Sequence, residues 1–468
     1  MALDERSALL SLSRKQREPW LGTVLLARLV TFASSFSEGW EIANFSLILI
    51  PITKEFSLTT RDVVLLTSAP MMAGLMGYLA LGWCMDMLGR KPTILMTYIL
   101  CIVGSLTMAA APSATTFGLG RGVQALGIRA GTTCVSLYMA ELSPAEHRGA
   151  LVAVEELYIN TGILLATFAA WMLMGVWEVS WRVFVALGAG APVTALLAIL
   201  VLRIPESPRF LQMWGRHSEA VVVLRSALDS NNEEIAQTLQ RWKESETSLS
   251  VKTWWDHLSE MRTLPNHRGF CIATCCWIAR AGSGISVVGT YFAVLMRGLS
   301  NETTLRLFTI GMLVKTLALV PPVFWLIDMY GRRVLFIASA ITCGLSMAAA
   351  GMLEFYGFGD YLVACCVLIF FAGFSIGYGP VVWAYCFEIL PSVQRGRAAS
   401  VSMLIGDVFS GILLVPAPYM IEAESTVLYA FIAASNAAAA CFFYGSCPET
   451  SGLLLEDTSG VERKSIAP

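Results

Sequence analysis

Apolar residues break the chain into twelve long runs, each close to the roughly 20 residues that an α-helix needs to cross a hydrocarbon core. They fall at 24–52, 61–85, 92–112, 115–139, 149–175, 181–203, 267–295, 304–327, 333–354, 361–387, 397–420 and 425–446. Most of the polar stretches between them are short. The exception, 204–266, carries amphipathic helical patterns at Ser218–Asp229 and Asn232–Ser245 and divides the runs into two sets of six. This pattern predicts an all-α membrane protein with twelve transmembrane helices in two six-helix bundles. Its expected domains are a tail at 1–23, a first bundle at 24–203, an extramembrane linker at 204–266, a second bundle at 267–446 and a tail at 447–468.

Composition agrees. Of 468 residues, 56% are hydrophobic and 14% charged, and the mean hydropathy is +0.64. A soluble globular chain is about 25% charged, so lipid is the expected solvent. A net charge of −2 offers no field for nucleic acid, which is not expected as a partner. The twelve cysteines lie almost entirely inside apolar runs, without metal-ligand spacing or a disulfide framework, and read as small hydrophobes. All four histidines lie outside the runs, which argues against a histidine proton relay within the membrane. The basic stretch with Arg6, Arg14, Lys15 and Arg17 lacks the apolar core of a cleavable signal, so the first run is expected to act as an anchor. There is no phosphate-binding Gly-x4-Gly-Lys-Ser/Thr loop and no plausible catalytic triad. No enzyme activity, ATP drive, cofactor or metal is expected.

Basic residues in short loops set orientation. The N-terminal cluster, Arg90/Lys91, Arg148, the linker, Arg332/Arg333 and Arg395/Arg397 share one side, expected to be cytoplasmic with both termini, and the plasma membrane is the expected location. Asn301-Glu302-Thr303 then falls outside, as a glycosylation sequon or a chance match.

An internal repeat adds the most information. Gly82-x3-Asp86-x2-Gly89-Arg90-Lys91 follows the second run, and Asp328-x2-Gly331-Arg332-Arg333 follows the eighth. Glu141-x2-Pro144-x3-Arg148-Gly149 follows the fourth, and Glu388-x2-Pro391-x3-Arg395-Gly396 the tenth. Pro205-Glu206 follows the sixth and Pro448-Glu449 the twelfth. The offsets, 328 − 86 = 242, 388 − 141 = 247 and 448 − 205 = 243, are nearly constant. Two related halves in parallel topology place a solute path at their interface. Acid and arginine at fixed spacing suggest the pairs Arg90–Glu141, Arg148–Glu206, Arg332–Glu388 and Arg395–Glu449, with Asp86 and Asp328 in the same gating set. Pairs that hold only while the cytoplasmic side is closed would bias an alternating-access equilibrium. The plainer alternative is that they anchor topology.

On these motifs the chain resembles the major facilitator superfamily over about 25–450, and within it the sugar porters and their organic-ion, niacin and synaptic-vesicle-type relatives. Tyr138-x2-Glu141-x2-Pro144-x3-Arg148-Gly149, Pro205-Glu-Ser-Pro-Arg209 and Pro448-Glu-Thr450 are similar to the sugar-porter side. Gly379-Pro380-x2-Trp383 resembles that group's tenth-helix signature, whose Trp packs on the sugar. There are departures. The seventh-helix amide run Gln-Gln-x-Ser-Gly-x-Asn is matched by Arg280-Ala281-Gly282-Ser283-Gly284-Ile285-Ser286, the fifth-helix glutamine by Glu156, and the eleventh-helix Asn-Trp by Gly406-Asp407. Phe324 stands where the second half's Asp motif usually has Gly, and Glu38/Glu41 followed by Ser46 and Pro51 is similar to the organic-ion relatives.

Ionisable groups inside a bilayer are costly, about 2.5–3.5 kcal/mol on insertion scales, and face a cavity or a partner. Glu38 and Glu41 share a helical face. Gly39-Trp40-Glu41 resembles the Gly-Tyr-Asp of proton-coupled porters, and Arg121 matches the arginine that partners that acid. This implies proton coupling through Glu38, Glu41 and Arg121, against the alternative of a fixed ion pair. Arg129 is a second partner for an acid or an anion ligand. Glu156, Arg280, Ser286, Lys315 and Trp383 are the candidate substrate-binding residues, with Lys315 alternatively paired to Asp407. Trp40, Tyr158 and Tyr291 are further cavity candidates by position. The expected function is secondary transport of a small polar solute of sugar or polyol type, with protons as candidate coupling ions. The alternatives are an organic-ion transporter and a non-transporting solute sensor.

Overall fold

A computed structural model describes residues 20–142, 148–202, 204–228, 267–296, 298–390 and 395–450; it is helical, and the described residues include no strand. The first half comprises α1 (Trp20–Phe56), α2 (Thr60–Leu88), α3 (Arg90–Ala109), α4 (Ala114–Leu142), α5 (Arg148–Ala170, continued by a π turn at Trp171–Val176) and α6 (Trp181–Leu187 and Gly190–Val201). Two short helices, Pro208–Met213 and His217–Leu228, open the linker. The second of these matches the amphipathic pattern read at Ser218–Asp229; the pattern at Asn232–Ser245 lies outside the described residues. The second half comprises α7 (His267–Gly282 and Ile285–Leu295), α8 (Asn301–Pro321, a π turn at Pro322–Leu326, then Ile327–Tyr330), α9 (Arg332–Phe355), α10 (Asp360–Ile376 and Pro380–Ile389), α11 (Arg395–Leu414) and α12 (Ala417–Ser446).

Helix ends have local causes. At α2 the Thr59 hydroxyl accepts from the Asp62 N–H while the Asp62 carboxylate accepts from the Thr59 N–H, a reciprocal cap. The Ser300 hydroxyl caps α8 by accepting from the Thr303 N–H. Pro321 and Pro322 lack N–H donors, and the ladder widens to a π turn there. The apolar runs at 397–420 and 425–446 mislead at one boundary: α11 stops at Leu414 and α12 already starts at Ala417. Pro416 has no N–H with which to prolong α11, and it sits at the start of α12 instead.

Among the described residues, eight helices are long and apolar enough to cross a membrane. Helices α1 and α4, which carry Glu38, Glu41, Arg121 and Arg129, are not among the eight, as fits elements that turn charge inward. The breaks in α7 and α10 matter for the same reason. Non-helical backbone at membrane depth is tolerated only where protein buries it or a cavity meets it. The breaks at Ser283–Gly284 and Gly377–Gly379 therefore mark the interior face of the second half.

The halves pack alike. In the first, α3 lies against α4 and α6; in the second, α9 lies against α10 and α12. The halves meet where α5 crosses α8, where α2 crosses α11, and where α1 meets the second piece of α7. The two bundles predicted from the repeat are thus formed, with equivalent helices at the seam.

Candidate functional site

At the end of the bundle carrying the repeated motifs, the two halves build the same lock. Arg90 donates from Nε and Nη2 to the two Glu141 oxygens at 3.1 and 3.0 Å, and from Nη1 to the Met85 carbonyl at 3.1 Å. The Ser207 hydroxyl donates to the same carboxylate. In the second half, Arg332 Nη2 donates to Glu388 at 2.9 Å and Nη1 to the Ile327 carbonyl at 3.1 Å, and the Thr450 hydroxyl donates to Glu388 at 2.6 Å. Both expected pairs are therefore made.

Glu206 and Glu449 each take up backbone donors, while the side chains of the arginines expected to pair with them, Arg148 and Arg395, lie outside the described residues. Glu206 accepts the backbone N–H groups of Arg90 and Lys91 at 3.0 and 3.2 Å; Glu449 accepts those of Arg332 and Arg333 at 2.9 and 3.0 Å. Each carboxylate closes the N-terminus of α3 or α9, where unsatisfied donors and the helix dipole favour an anion. Gly89 and Gly331, with φ of 104° and 81°, give the turn that aims those donors. Burial pushes the Glu206 carboxyl above the usual carboxylate range, opposed by its backbone donors. The side chains of Asp86, Arg148, Asp328 and Arg395 lie outside the described residues.

At mid-depth the charges form three groups. Glu41 lies 3.5 Å from Arg121, whose guanidinium stacks 4.0 Å from the centre of the Phe45 ring. Glu38 takes Arg129 at 2.9 Å and the Thr132 hydroxyl at 2.8 Å. The same Arg129 nitrogen lies 3.9 Å from Asp407 of α11, which also accepts from the Tyr78 hydroxyl at 3.3 Å. Arg129 thus spans the seam between the halves, beside a cavity of about 160 Å³. Asp407 belongs to this group and not with Lys315, as the sequence had allowed; sequence spacing carries no information on which helices α11 faces.

The third group gathers four of the five candidate binding residues. Glu156 of α5 accepts from Trp383 Nε1 at 3.2 Å and from Asn160 at 3.1 Å, and lies 3.8 Å from Arg280 of α7. Arg280 sits against Trp277 and Phe374, 5.3 and 5.6 Å from their ring centres, and Lys315 of α8 lies 5.5 Å from the same Phe374 ring. The fifth candidate, Ser286, accepts from the Ser410 hydroxyl at 2.8 Å and ties α7 to α11.

Two aromatic expectations are corrected. Trp40 stacks on Phe184 of α6 at 5.4 Å, inside the first half, because two residues along a helix turn a side chain by about 200° from Glu38. Tyr158 meets the outward-facing Phe32 edge-on at 5.1 Å. Tyr291 does reach the seam: its hydroxyl lies 3.3 Å from both Thr67 of α2 and the Leu414 carbonyl. Glu155, next to Glu156 on α5, is also buried and is held by the hydroxyls of Ser136 at 2.6 Å and Ser35 at 3.5 Å. Among the described residues no group of His, Cys, Asp and Glu is arranged to hold a metal.

Comparison with known proteins agrees with this architecture. A family model described as "Sugar (and other) transporter" matches residues 26–461. The putative polyol transporter 1 of Arabidopsis thaliana is 31% identical over 452 residues, 90% of this chain and 87% of that protein. The polyol transporter 5 of the same plant is 29% identical, over 90% and 82% of the two chains. The structure of the proton:xylose symporter XylE bound to 6-bromo-6-deoxy-D-glucose matches with a TM-score of 0.75 and 20% identity, over 94% of this chain and 99% of that one. At that identity the likeness establishes the twelve-helix, two-bundle fold.

Proposed function

The chain belongs to the sugar (and other) transporter family, and from that membership we propose that it carries a polyhydroxylated solute of sugar or polyol type across a bilayer by alternating access, coupled to protons. The observation that carries this reading is the Arg129 bridge, which holds Glu38 of one half and Asp407 of the other at mid-depth. A charge shared across the seam has two states available to it, and any proton or solute that takes one partner biases the halves.

Glu41 alternates between Arg121 and a proton. When protonated it leaves Arg121 without a counter-charge, and the first bundle relaxes to a second arrangement. Glu156, Arg280, Lys315 and Trp383 form the solute seat, with Ser286 at its edge. The Arg90–Glu141 and Arg332–Glu388 locks steady the motif end, which the basic loops assign to the cytoplasm together with both termini; the plasma membrane is the proposed location. The described hydrogen bonds between the halves run at mid-depth and at the far end, through Thr60–Glu422 and Tyr291–Thr67, which supports a state closed on the far side.

The test is uptake of labelled hexoses and polyols by proteoliposomes, with and without an imposed pH gradient. Gradient-driven accumulation in the wild type, and its loss in Glu41→Gln with exchange retained, is the expected result. Accumulation that ignores both the gradient and Glu41→Gln would remove proton coupling. One observation favours a second reading, an organic-ion solute akin to that of the superfamily's organic-ion and niacin transporters. The seat is built of charges (Glu156, Arg280 and Lys315) where the sugar porters it resembles use amides.

A further inference from the structure

Lys315 stands near the middle of α8 with 6% of its surface exposed, yet among the described residues no acid lies within 4 Å of its ammonium and it makes no hydrogen bond. Its contact there is the face of Phe374, and the charges it faces are Glu156 and Arg280. Glu156 is already engaged by Trp383, Asn160 and Arg280. The remaining seam acids are held elsewhere: Glu41 by Arg121, and Glu38 and Asp407 by Arg129. The seat therefore carries two cations to one carboxylate. Arg280 adds a second sign of an unfilled site, since its Nε is buried without an acceptor. On the opposite side of Glu156, the buried Asn160 Oδ1 has no donor.

A buried ammonium whose facing acid, Glu156, is already shared with other donors is costly and marks a solute or ion path. Hydroxyls can accept hydrogen bonds from it but leave its charge in place, whereas a carboxylate does both, with shorter and stronger bonds. Resting on the transporter reading above, we propose that the solute is a hydroxylated carboxylate of the sugar-acid type, its carboxylate on Lys315 and Arg280 and its hydroxyls on Glu156 and Asn160. Trp383 covers the carbon chain between the two ends. The neutral relatives of such a solute, sugars and polyols, fill the hydroxyl end alone.

The experiment is uptake by proteoliposomes of the full chain, with gluconate and galacturonate set against sorbitol and galactose, and acetate and benzoate as carboxylates without hydroxyls. The wild type should prefer the sugar acids over the matched neutral solutes at least tenfold, and acetate and benzoate should not compete. Lys315→Gln should erase that preference while eluting as a monodisperse species; Lys315→Arg should retain it. If Lys315→Gln does not fold, the wild-type competition still decides. Indifference of the wild type to sugar acids while sorbitol or galactose is carried would overturn the proposal and leave the transporter reading standing. So would competition by benzoate equal to that of gluconate, or full sugar-acid preference in Lys315→Gln. No uptake of any of these solutes would instead overturn the transporter reading, and this proposal with it.

Discussion

Single residues show how the same chemistry takes different weight in different surroundings. Arg90 and Glu141 form a two-pronged pair with side-chain exposures of 5% and 4%; Arg332 and Glu388 meet through one oxygen at 12% and 23%. Breaking a buried pair by removing one partner costs about 3–5 kcal/mol, because the other charge is stranded. Glu141→Gln should therefore lower the melting temperature of the detergent-solubilised protein clearly more than Glu388→Gln. Equal losses would show that burial does not set the weight of these locks. Glu55, at the far end of α1, gives a test with a sign. Hydrogen bonds from Trp181 and Arg182, both at 2.6 Å, hold its carboxyl below its ordinary value of 4.5. A carboxyl lowered by folding stabilises the fold above its unfolded pKa and loses that contribution as the pH falls through the folded value. The melting-temperature deficit of Glu55→Gln should thus be full at pH 7 and shrink as the pH is taken below 4.5. A deficit that does not change with pH would assign the effect to packing.

Elements reveal why small residues stand where they do. Gly39 of α1 faces the backbone of Ile159 on α5, and Gly162 of α5 faces the backbone of Phe36 on α1; a β-carbon at either would overlap a carbonyl. This reciprocal contact brings α1, which carries Glu38 and Glu41, hard against α5, which carries Glu156. Overpacking a tight contact costs about 1–3 kcal/mol. Gly162→Ala should lower thermal stability by that amount and weaken solute binding together with it. Binding that is untouched while stability falls would show that the α1–α5 spacing does not position the seat. The sequence displayed these glycines but not their mates, since close approach is a property of two helices.

The whole molecule adds a balance between its halves. Tyr291 joins α7 of the second half to Thr67 on α2 of the first, near the end opposite the motifs. A hydrogen bond of this kind contributes about 1 kcal/mol, equivalent to roughly a fivefold shift between two states. Tyr291→Phe should speed hydrogen–deuterium exchange in 60–70 and 285–295, on that side only. Unchanged exchange there would mean that the closure is held by apolar packing of the seam alone. Asp407→Asn removes the second-half partner of Arg129 and tests the mid-depth seam in the same way. The expected signature is a change in exchange at both ends, in opposite directions.

Much of this architecture was written in the chain itself. Twelve apolar runs, the linker and the near-constant offset of the motifs follow from local composition and order, and helices in lipid are governed locally because each satisfies its own backbone. The pairs Arg90–Glu141 and Arg332–Glu388, and that of Glu41 with Arg121, were legible for a related reason: repetition and family resemblance mark residues that answer one another. Folding alone decided that Glu206 and Glu449 cap helices, that Asp407 answers Arg129, and that Trp40 and Tyr158 turn away from the seam. It also decided that Lys315 is left facing Phe374 and Arg280 without an acid of its own. These outcomes depend on the rotation of each helix about its axis and on which helices meet across the seam. Both are set by packing between segments far apart in sequence, and no local pattern encodes them.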